Sequence, residues 1–140
     1  MTVICCMMSC NMAANAGNGK PISIDALPAK AQTLLNNHFN GQKVMLATIE
    51  SGVVSRSYDV VLKNGTKLEF DKRVNLTEID CKQGIVPDQL IPQAINNYLK
   101  ENYEGQSVRK IEINRKEYEV ELTNGLDLTF NKHFQLIDIE

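Results

Sequence analysis

Apolar and polar residues alternate through one stretch that occurs twice in the chain. The first copy covers residues 58–72 and the second covers residues 118–132, and each has an Asn-Gly pair near its middle. Alternation with a period of two is typical of a strand with one buried face, and Asn-Gly favours the tight turn of a hairpin. The pattern therefore predicts one β-hairpin in each copy.

A helical pattern precedes each hairpin. Apolar residues recur with spacings of four, three, one and four, which places them on one stripe of a helix. In residues 26–39 this stripe is Leu27, Ala31, Leu34, Leu35 and Phe39, and in residues 90–103 it is Ile91, Ile95, Tyr98, Leu99 and Tyr103. We predict two helices, the first capped by Asp25.

Further strand-like segments complete a repeated order of one helix followed by four strands. The predicted strands are residues 43–50, 58–63, 66–71 and 75–80, and then 107–113, 116–123, 126–131 and 135–139. The sequence thus predicts an α+β fold of two tandem helix-plus-four-stranded antiparallel units, residues 21–84 and 85–140. Because a unit of this size buries little surface alone, we expect the two to form one compact domain, with their sheets joined edge to edge.

The hairpins have one face that must meet the helices. That face carries large apolar residues, listed by copy as Tyr58, Val60, Leu62, Leu68 and Phe70, and Tyr118, Val120, Leu122, Leu128 and Phe130. With helices on this side only, the opposite face of an antiparallel sheet stays open to water and is curved by the sheet twist into a concave layer. We predict that this face binds a partner through Asp59, Val61, Lys67, Glu69, Glu119, Glu121, Asp127 and Thr129.

Residues 1–20 differ in composition from the rest and form a predicted leader or disordered tail. Three of the four cysteines, Cys5, Cys6 and Cys10, lie there, and Ala14-Asn-Ala16 fits the small-x-small pattern that precedes a signal-peptidase cut. We therefore expect a periplasmic or secreted protein with a signal peptide. In the alternative interpretation Cys10 is a lipid anchor and the protein is an envelope lipoprotein.

Composition and motifs exclude several classes of function. A net charge of −2 gives no general attraction to nucleic acid, and no apolar run is long enough to span a membrane. The chain has no motif typical of a catalytic triad, a phosphate loop or a zinc site, so we predict no catalytic residue, no metal and no cofactor. His38 and His133 are not repeated between the copies, and Cys81 is expected to be a free thiol. An enzyme is not expected.

Two features resemble a known family. They are the Leu27-Pro28 and Ile91-Pro92 helix starts, and the repeated pattern Tyr-Asp/Glu-Val-x-Leu-x-Asn-Gly-x-x-Leu-x-Phe. With these, residues 21–140 resemble the PepSY-like proteins grouped with the β-lactamase inhibitory protein, small exported proteins of the Bacteroides type. The resemblance implies a concave sheet that binds a protein, and related PepSY domains are thought to restrain peptidases.

Two functional hypotheses follow. The first is a non-catalytic binding module of the cell envelope, of the inhibitor type, that holds a protein or peptide on the open sheet face. The second is a small-ligand carrier with a pocket between the helices and the sheet. A charged face, in place of the aromatic one of the inhibitory protein, favours a general binding role over inhibition of β-lactamase itself.

Overall fold

The computed structural model describes residues 19–52 and 56–140, which form one antiparallel sheet and two helices. The predicted leader therefore lies almost wholly outside the described residues. The strands are β1 (Lys20–Ile22), β2 (Val44–Ser51), β3 (Arg56–Leu62), β4 (Lys67–Phe70), β5 (Leu76–Asp80), β6 (Val108–Ile113), β7 (Glu117–Leu122), β8 (Asp127–Asn131) and β9 (Leu136–Ile139). The helices are α1 (Ala29–His38) and α2 (Gln93–Asn102).

The nine strands lie in the sheet in the order in which they occur in the chain. Each strand pairs antiparallel with the next, so the predicted α+β class with an antiparallel sheet is confirmed. The predicted edge-to-edge junction is the pairing of β5 with β6, where Ile79 lies opposite Ile111. The sheet is therefore continuous across the boundary between residues 84 and 85.

The core lies on one face of this sheet. The hairpin residues Val60, Leu68, Val120 and Leu128 are at most 1% exposed, as the alternation predicts. The buried positions of both helical stripes belong to the same hydrophobic cluster: Leu27, Ala31, Leu35, Ile91, Ile95 and Leu99. Burial of one large apolar side chain stabilises a fold by roughly 1.5–3 kcal/mol, and this burial fixes which face of the sheet meets the helices.

Both predicted hairpins turn at glycine. Gly65 has φ +88 and Gly125 has φ +89, a conformation that L side chains rarely adopt. The amide of Leu62 donates to the carbonyl of Thr66, and the amide of Leu122 donates to that of Leu126, both at 2.8 Å. The two hairpins also share one register, with Tyr58 opposite Phe70 and Tyr118 opposite Phe130.

Strand β1 is absent from the sequence prediction, which expected eight strands. It begins at Lys20, the last residue of the predicted leader, and Lys20 lies opposite Ile49 of β2. Three residues are too few to show a period of two, and Pro21 argues against a central strand. An edge strand tolerates proline because one side of its backbone needs no partner, which is the position that β1 occupies.

The predicted helix starts are three residues too early. A short 3-10 turn precedes each helix, at Ile24–Ala26 and at Asp88–Leu90, and the N-caps are Pro28 and Pro92. A residue before proline disfavours the helical region, so the helix cannot begin until the proline. The prediction that Asp25 caps α1 is wrong, because α1 begins after Pro28 and has no side-chain cap.

Candidate binding face

All eight residues predicted to bind a partner lie on the face opposite the core. In the β3–β4 hairpin, Asp59 lies opposite Glu69 and Val61 lies opposite Lys67. The β7–β8 hairpin repeats the arrangement, with Glu119 opposite Thr129 and Glu121 opposite Asp127. Since their chain neighbours Val60, Leu68, Val120 and Leu128 are buried on the helix side, these side chains point to the other side of the sheet.

The two hairpins are connected by further acidic residues into one line. Glu69 lies opposite Glu78, Glu78 opposite Glu112, and Glu112 opposite Glu119. Together with Asp59, these residues form a carboxylate row that crosses five neighbouring strands at right angles to them. The row is Asp59, Glu69, Glu78, Glu112 and Glu119, and it continues through Thr129 to Asp138 at the β9 edge.

A second row beside it mixes both signs of charge. It runs through Lys67, Asp80, Lys110, Glu121 and Asp127 on successive strands from β4 to β8. Opposite charges alternate along most of this row, and such cross-strand pairs stabilise the pairing of neighbouring strands. The carboxylate row, by contrast, places like charges directly opposite one another.

The ion pairs found among residues 19–52 and 56–140 involve these two rows. Lys67 pairs with Glu69 at 2.6 Å, and Lys110 reaches Glu78 at 3.7 Å. Lys82 pairs with Asp80 at 3.0 Å, and Arg109 pairs with Glu121. Within the same residues, Asp59, Glu112 and Glu119 have no ion-pair partner. These three carboxylates carry the uncompensated negative charge of the row.

Three carboxylates of the row have raised pKa values, through burial first and neighbouring charge second. Burial, and then the charge of Glu69, raises the pKa of both Asp59 and Glu78. Burial, and then the charge of Glu112, raises the pKa of Glu119. The charge of Lys110 lowers the pKa of Glu78 and of Glu119, but by less than burial and the neighbouring carboxylates raise it. The charged forms of Asp59, Glu78 and Glu119 are therefore disfavoured in the folded protein.

An apolar patch lies beside the row on the same face. A bulge between Val44 and Leu46 interrupts the pairing of β2, and it leaves Met45 58% exposed and Leu46 36% exposed. With Val61 these residues form the apolar patch, which lines an open groove of about 860 Å³. Asp59 also lines this groove, so the patch and the carboxylate row meet there.

The remaining candidate residues do not form a chemical site. Cys81 is a free thiol, 2% exposed, and burial raises the pKa of that thiol. His38 ends α1, and His133 lies in the exposed turn between β8 and β9. No cluster of three or more metal-ligating side chains occurs among the described residues. Over the same part of the chain, neither helix is long and apolar enough to cross a membrane.

The sequence prediction missed several residues of this face, because it considered only the hairpins. The missed residues are Glu78, Asp80, Lys110, Glu112 and Asp138. A signal for them exists in the sequence, since Ile79 and Ile111 are core residues and their chain neighbours must point the other way.

Comparisons with known proteins agree on one family. The model of the family described as "Putative beta-lactamase-inhibitor-like, PepSY-like" matches residues 56–138. A comparison with curated proteins gave no match.

Solved structures resemble the chain over most of its length. A periplasmic protein of the DUF2874 family from Bacteroides vulgatus is 42% identical, with a TM-score of 0.85, over 89% of this chain and 98% of that one. A protein from Bacteroides thetaiotaomicron, described as calcium-regulated and periplasmic, is 45% identical with a TM-score of 0.83, over 88% of this chain and 97% of that one. A second Bacteroides vulgatus protein, described as periplasmic and of unknown function, is 39% identical with a TM-score of 0.81, over 87% and 98%.

These relatives confirm the exported location that the leader predicts, because all three are described as periplasmic. The family match also covers both hairpins that carry the repeated motif. This chain therefore belongs to the PepSY-like, β-lactamase-inhibitor-like family of periplasmic proteins.

Proposed function

We propose that this protein is a non-catalytic binding module of the inhibitor type, which holds a protein or peptide of the cell envelope against its open sheet face. The observation that carries the proposal is the carboxylate row. Like charges directly opposite one another on neighbouring strands are destabilising, and a surface whose only task is contact with water has no need of five in succession. A binding surface does have a use for them.

The proposal includes two tandem units, residues 21–84 and 85–140, that present one joined face. Two observations support the repeat. The hairpins share a register, and the turns after them share an unusual backbone, with φ +62 at Val74 and φ +60 at Phe134. Because the pairing of β5 with β6 aligns the two sets of polar residues, a partner can contact both units at once.

The alternative is a small-ligand carrier with a pocket between helices and sheet. The helix side holds an open pocket of about 330 Å³ beside Leu99 and Tyr103, and one of about 110 Å³ beside Leu35 and Phe39. Sites for drug-sized ligands usually measure about 300–1,000 Å³ and are mostly apolar. Phe70 and Phe130 fill the space between helices and sheet, so the open face is the better candidate.

Site-specific photo-crosslinking tests the proposal. p-Benzoylphenylalanine is placed at Val61 or Thr129 on the open face and, as matched controls, at the exposed helix positions Asn37 or Lys100. Each protein is then irradiated in periplasmic extract of the source organism. We expect the same partner to be crosslinked from both open-face positions and from neither helix position.

A triple variant that removes charge tests the predicted residues directly. We expect Glu119→Gln/Glu121→Gln/Asp127→Asn to reduce the adduct formed from Thr129, because these side chains lie on β7 and β8 around that position. Adducts from the helix positions alone would contradict binding through the open face. The experiment is run with EDTA and with about 1 mM Ca²⁺, a concentration that suits extracellular calcium modules, because one relative is described as calcium-regulated.

A further inference from the structure

The apolar patch is a contiguous group of apolar residues on a mostly polar face. Met45 and Leu46 are exposed because a bulge turns them outward, and Val61 lies beside them on β3. Exposed apolar groups on a polar surface mark sites of contact with other molecules, and the flexible thioether of methionine adapts to different apolar partners. The patch can therefore receive one apolar side chain.

The charged residues around the apolar patch restrict the charge of the molecule that can bind there. Asp59 lines the same groove, two residues from Val61 along β3. From there the row continues over Glu69 and Glu78 to Glu112, and Lys67 and Lys110 neutralise only the two middle carboxylates. Two lysines also line the groove, but Lys67 is paired with Glu69 and Lys82 with Asp80. An acidic occupant would therefore find no unpaired cation there, whereas a basic one would neutralise Asp59 and, further along the row, Glu112.

We propose that the open face binds an extended polypeptide segment in which an apolar side chain, seated on the apolar patch, is followed by basic side chains that pair with Asp59 and Glu112. This inference rests on the proposed function and names the chemistry of its partner. The charge complementarity of the groove and the row carries it.

The spacing of the row sets the spacing of the basic side chains. Strands lie about 4.8 Å apart, so β3 and β6 are separated by about 14 Å. An extended chain rises about 3.4 Å per residue, and its side chains on one side recur at every second residue. A segment that crosses the strands therefore covers the distance from Asp59 to Glu112 in about four residues. The two basic side chains are then four residues apart, which gives the pattern apolar-x-basic-x-x-x-basic.

The raised pKa values of Asp59 and Glu119 agree with this assignment. Their carboxylates are disfavoured by burial and by neighbouring acidic groups, and a cation placed over the row would relieve that repulsion. Binding of a basic segment should accordingly weaken as salt is added, because exposed charges are screened.

Three synthetic peptides test the inference by amide chemical-shift titration of the whole protein. The first is acetyl-Ser-Leu-Ser-Lys-Ser-Ser-Ser-Lys-Ser-amide, the second replaces both lysines by glutamine, and the third replaces the leucine by serine. We expect the first to shift amides of β2 to β6, and the other two to bind about tenfold and about fivefold more weakly. Exposed ion pairs and one partly buried apolar side chain have this size of effect.

Substitutions in the protein test the same contacts from the other side. Asp59→Asn/Glu112→Gln should weaken binding of the first peptide about tenfold, and Leu46→Ser about fivefold. The control Glu101→Gln/Glu104→Gln removes the same charge from exposed positions at the end of α2 and should change binding less than about twofold. The unperturbed spectrum of each variant verifies that it folds.

Each other outcome has a definite meaning. Equal binding of the lysine and glutamine peptides at β2 to β6 would overturn the basic partner and leave the proposed function intact. Shifts confined to α1 and α2 would contradict both. Absence of binding by the first peptide would overturn the inference, and crosslinking from Val61 and Thr129 would then decide the proposed function separately. Chemical-shift changes on the open face that depend on protein concentration alone would show that a second copy of the chain occupies the face. That result would also overturn the inference of a basic segment.

Discussion

Glu78 of β5 lies directly opposite Glu112 of β6, so two carboxylates meet where the two halves of the sheet join. The side chain of Glu78 is only 16% exposed, and its nearest cation is Lys110 at 3.7 Å. Glu69 lies on its other side. The junction thus places three acidic side chains on consecutive strands, which is a cost to the folded state.

Glu78→Gln should stabilise the protein at pH 7 by about 0.2–1 kcal/mol, the size of a cross-strand pair effect. Burial and then Glu69 raise the pKa of Glu78, so the folded state holds this proton more tightly than the unfolded state. Ionisation of Glu78 therefore lowers stability as the pH rises from about 4.3, its unfolded pKa, through the folded pKa. The advantage of the variant should vanish below about pH 4.

Urea unfolding at pH 7 and at acid pH measures this effect. Glu104→Gln, which removes one charge from an exposed position far from the row, is the control and should change stability little at either pH. A Glu78→Gln variant less stable than wild type at pH 7 would show that the pair with Lys110 outweighs the repulsion.

Asp71 organises the turn between β4 and β5. Its Oδ1 atom accepts hydrogen bonds from the amides of Arg73 at 2.8 Å and Asn75 at 2.9 Å. Asn131 makes the same pair of contacts in the turn between β8 and β9. We expect Asp71→Ala to cost about 1–2 kcal/mol, and Asp71→Asn to cost less because the amide oxygen can accept the same bonds.

The two variants also differ from wild type in their pH dependence. Burial alone would raise the pKa of Asp71, but hydrogen bonds from Asn75 and Arg73 outweigh burial and lower it. The stabilisation is therefore complete above about pH 3.9, the unfolded pKa, and is lost as the pH falls through the folded pKa. Thermal unfolding should be measured from about pH 2 to about pH 6, a range that brackets the titration of an aspartate. Wild type should lose stability towards the acid end of this range, and Asp71→Asn should lack that loss.

The hairpin glycines should be equivalent in their effect on stability. Gly65→Ala and Gly125→Ala each place a side chain at φ near +88 or +89, which costs about 1–2 kcal/mol. A new Cβ would lie 3.6 Å from Lys82 at Gly65 and would meet no atom within 4 Å at Gly125, so backbone strain is the main cause in both.

Gly84→Ala is the control for these two variants. Gly84 has no positive φ and nothing within 4 Å of its Cβ position, so alanine there should be neutral or stabilise by up to about 1 kcal/mol. Denaturant unfolding of the three variants compares them directly. Costs at Gly65 and Gly125 that differ severalfold would contradict the equivalence of the hairpins.

Much of the fold follows from local signals in the sequence. The alternation around Val60 and Val120 requires one apolar face, and the Asn-Gly turns fix the register of each hairpin. Because one face is settled by burial, the opposite face and its eight predicted residues follow without knowledge of any long-range contact. These are period-two and turn signals, which act within a few residues.

The features that the sequence prediction missed depend on distant contacts. The like-charge contact of Glu78 with Glu112 exists only because β5 pairs with β6, and no periodic pattern states which strands pair. A bulge shifts side chains relative to the regular alternation of a strand. One bulge exposes Met45, and another lies at Arg109, which pairs with Glu121. Strand β1 is too short to show a period at all.

Ile79 and Ile111 test whether the two halves of the chain unfold together. They lie opposite each other across the β5–β6 junction, and each is 0% exposed. Ile111→Ala removes buried apolar volume from the shared core and should cost about 2–5 kcal/mol.

If the halves form one cooperative unit, this cost appears everywhere in the sheet. Native-state amide exchange should then lose the same protection in β3, in the first half, as in β7, in the second, and the circular dichroism transition should stay single. Ile137→Ala, at a 54% exposed position on the edge strand β9, is the control and should leave protection in β3 unchanged. A loss confined to β6–β9 would show that residues 21–84 keep their structure independently of residues 85–140.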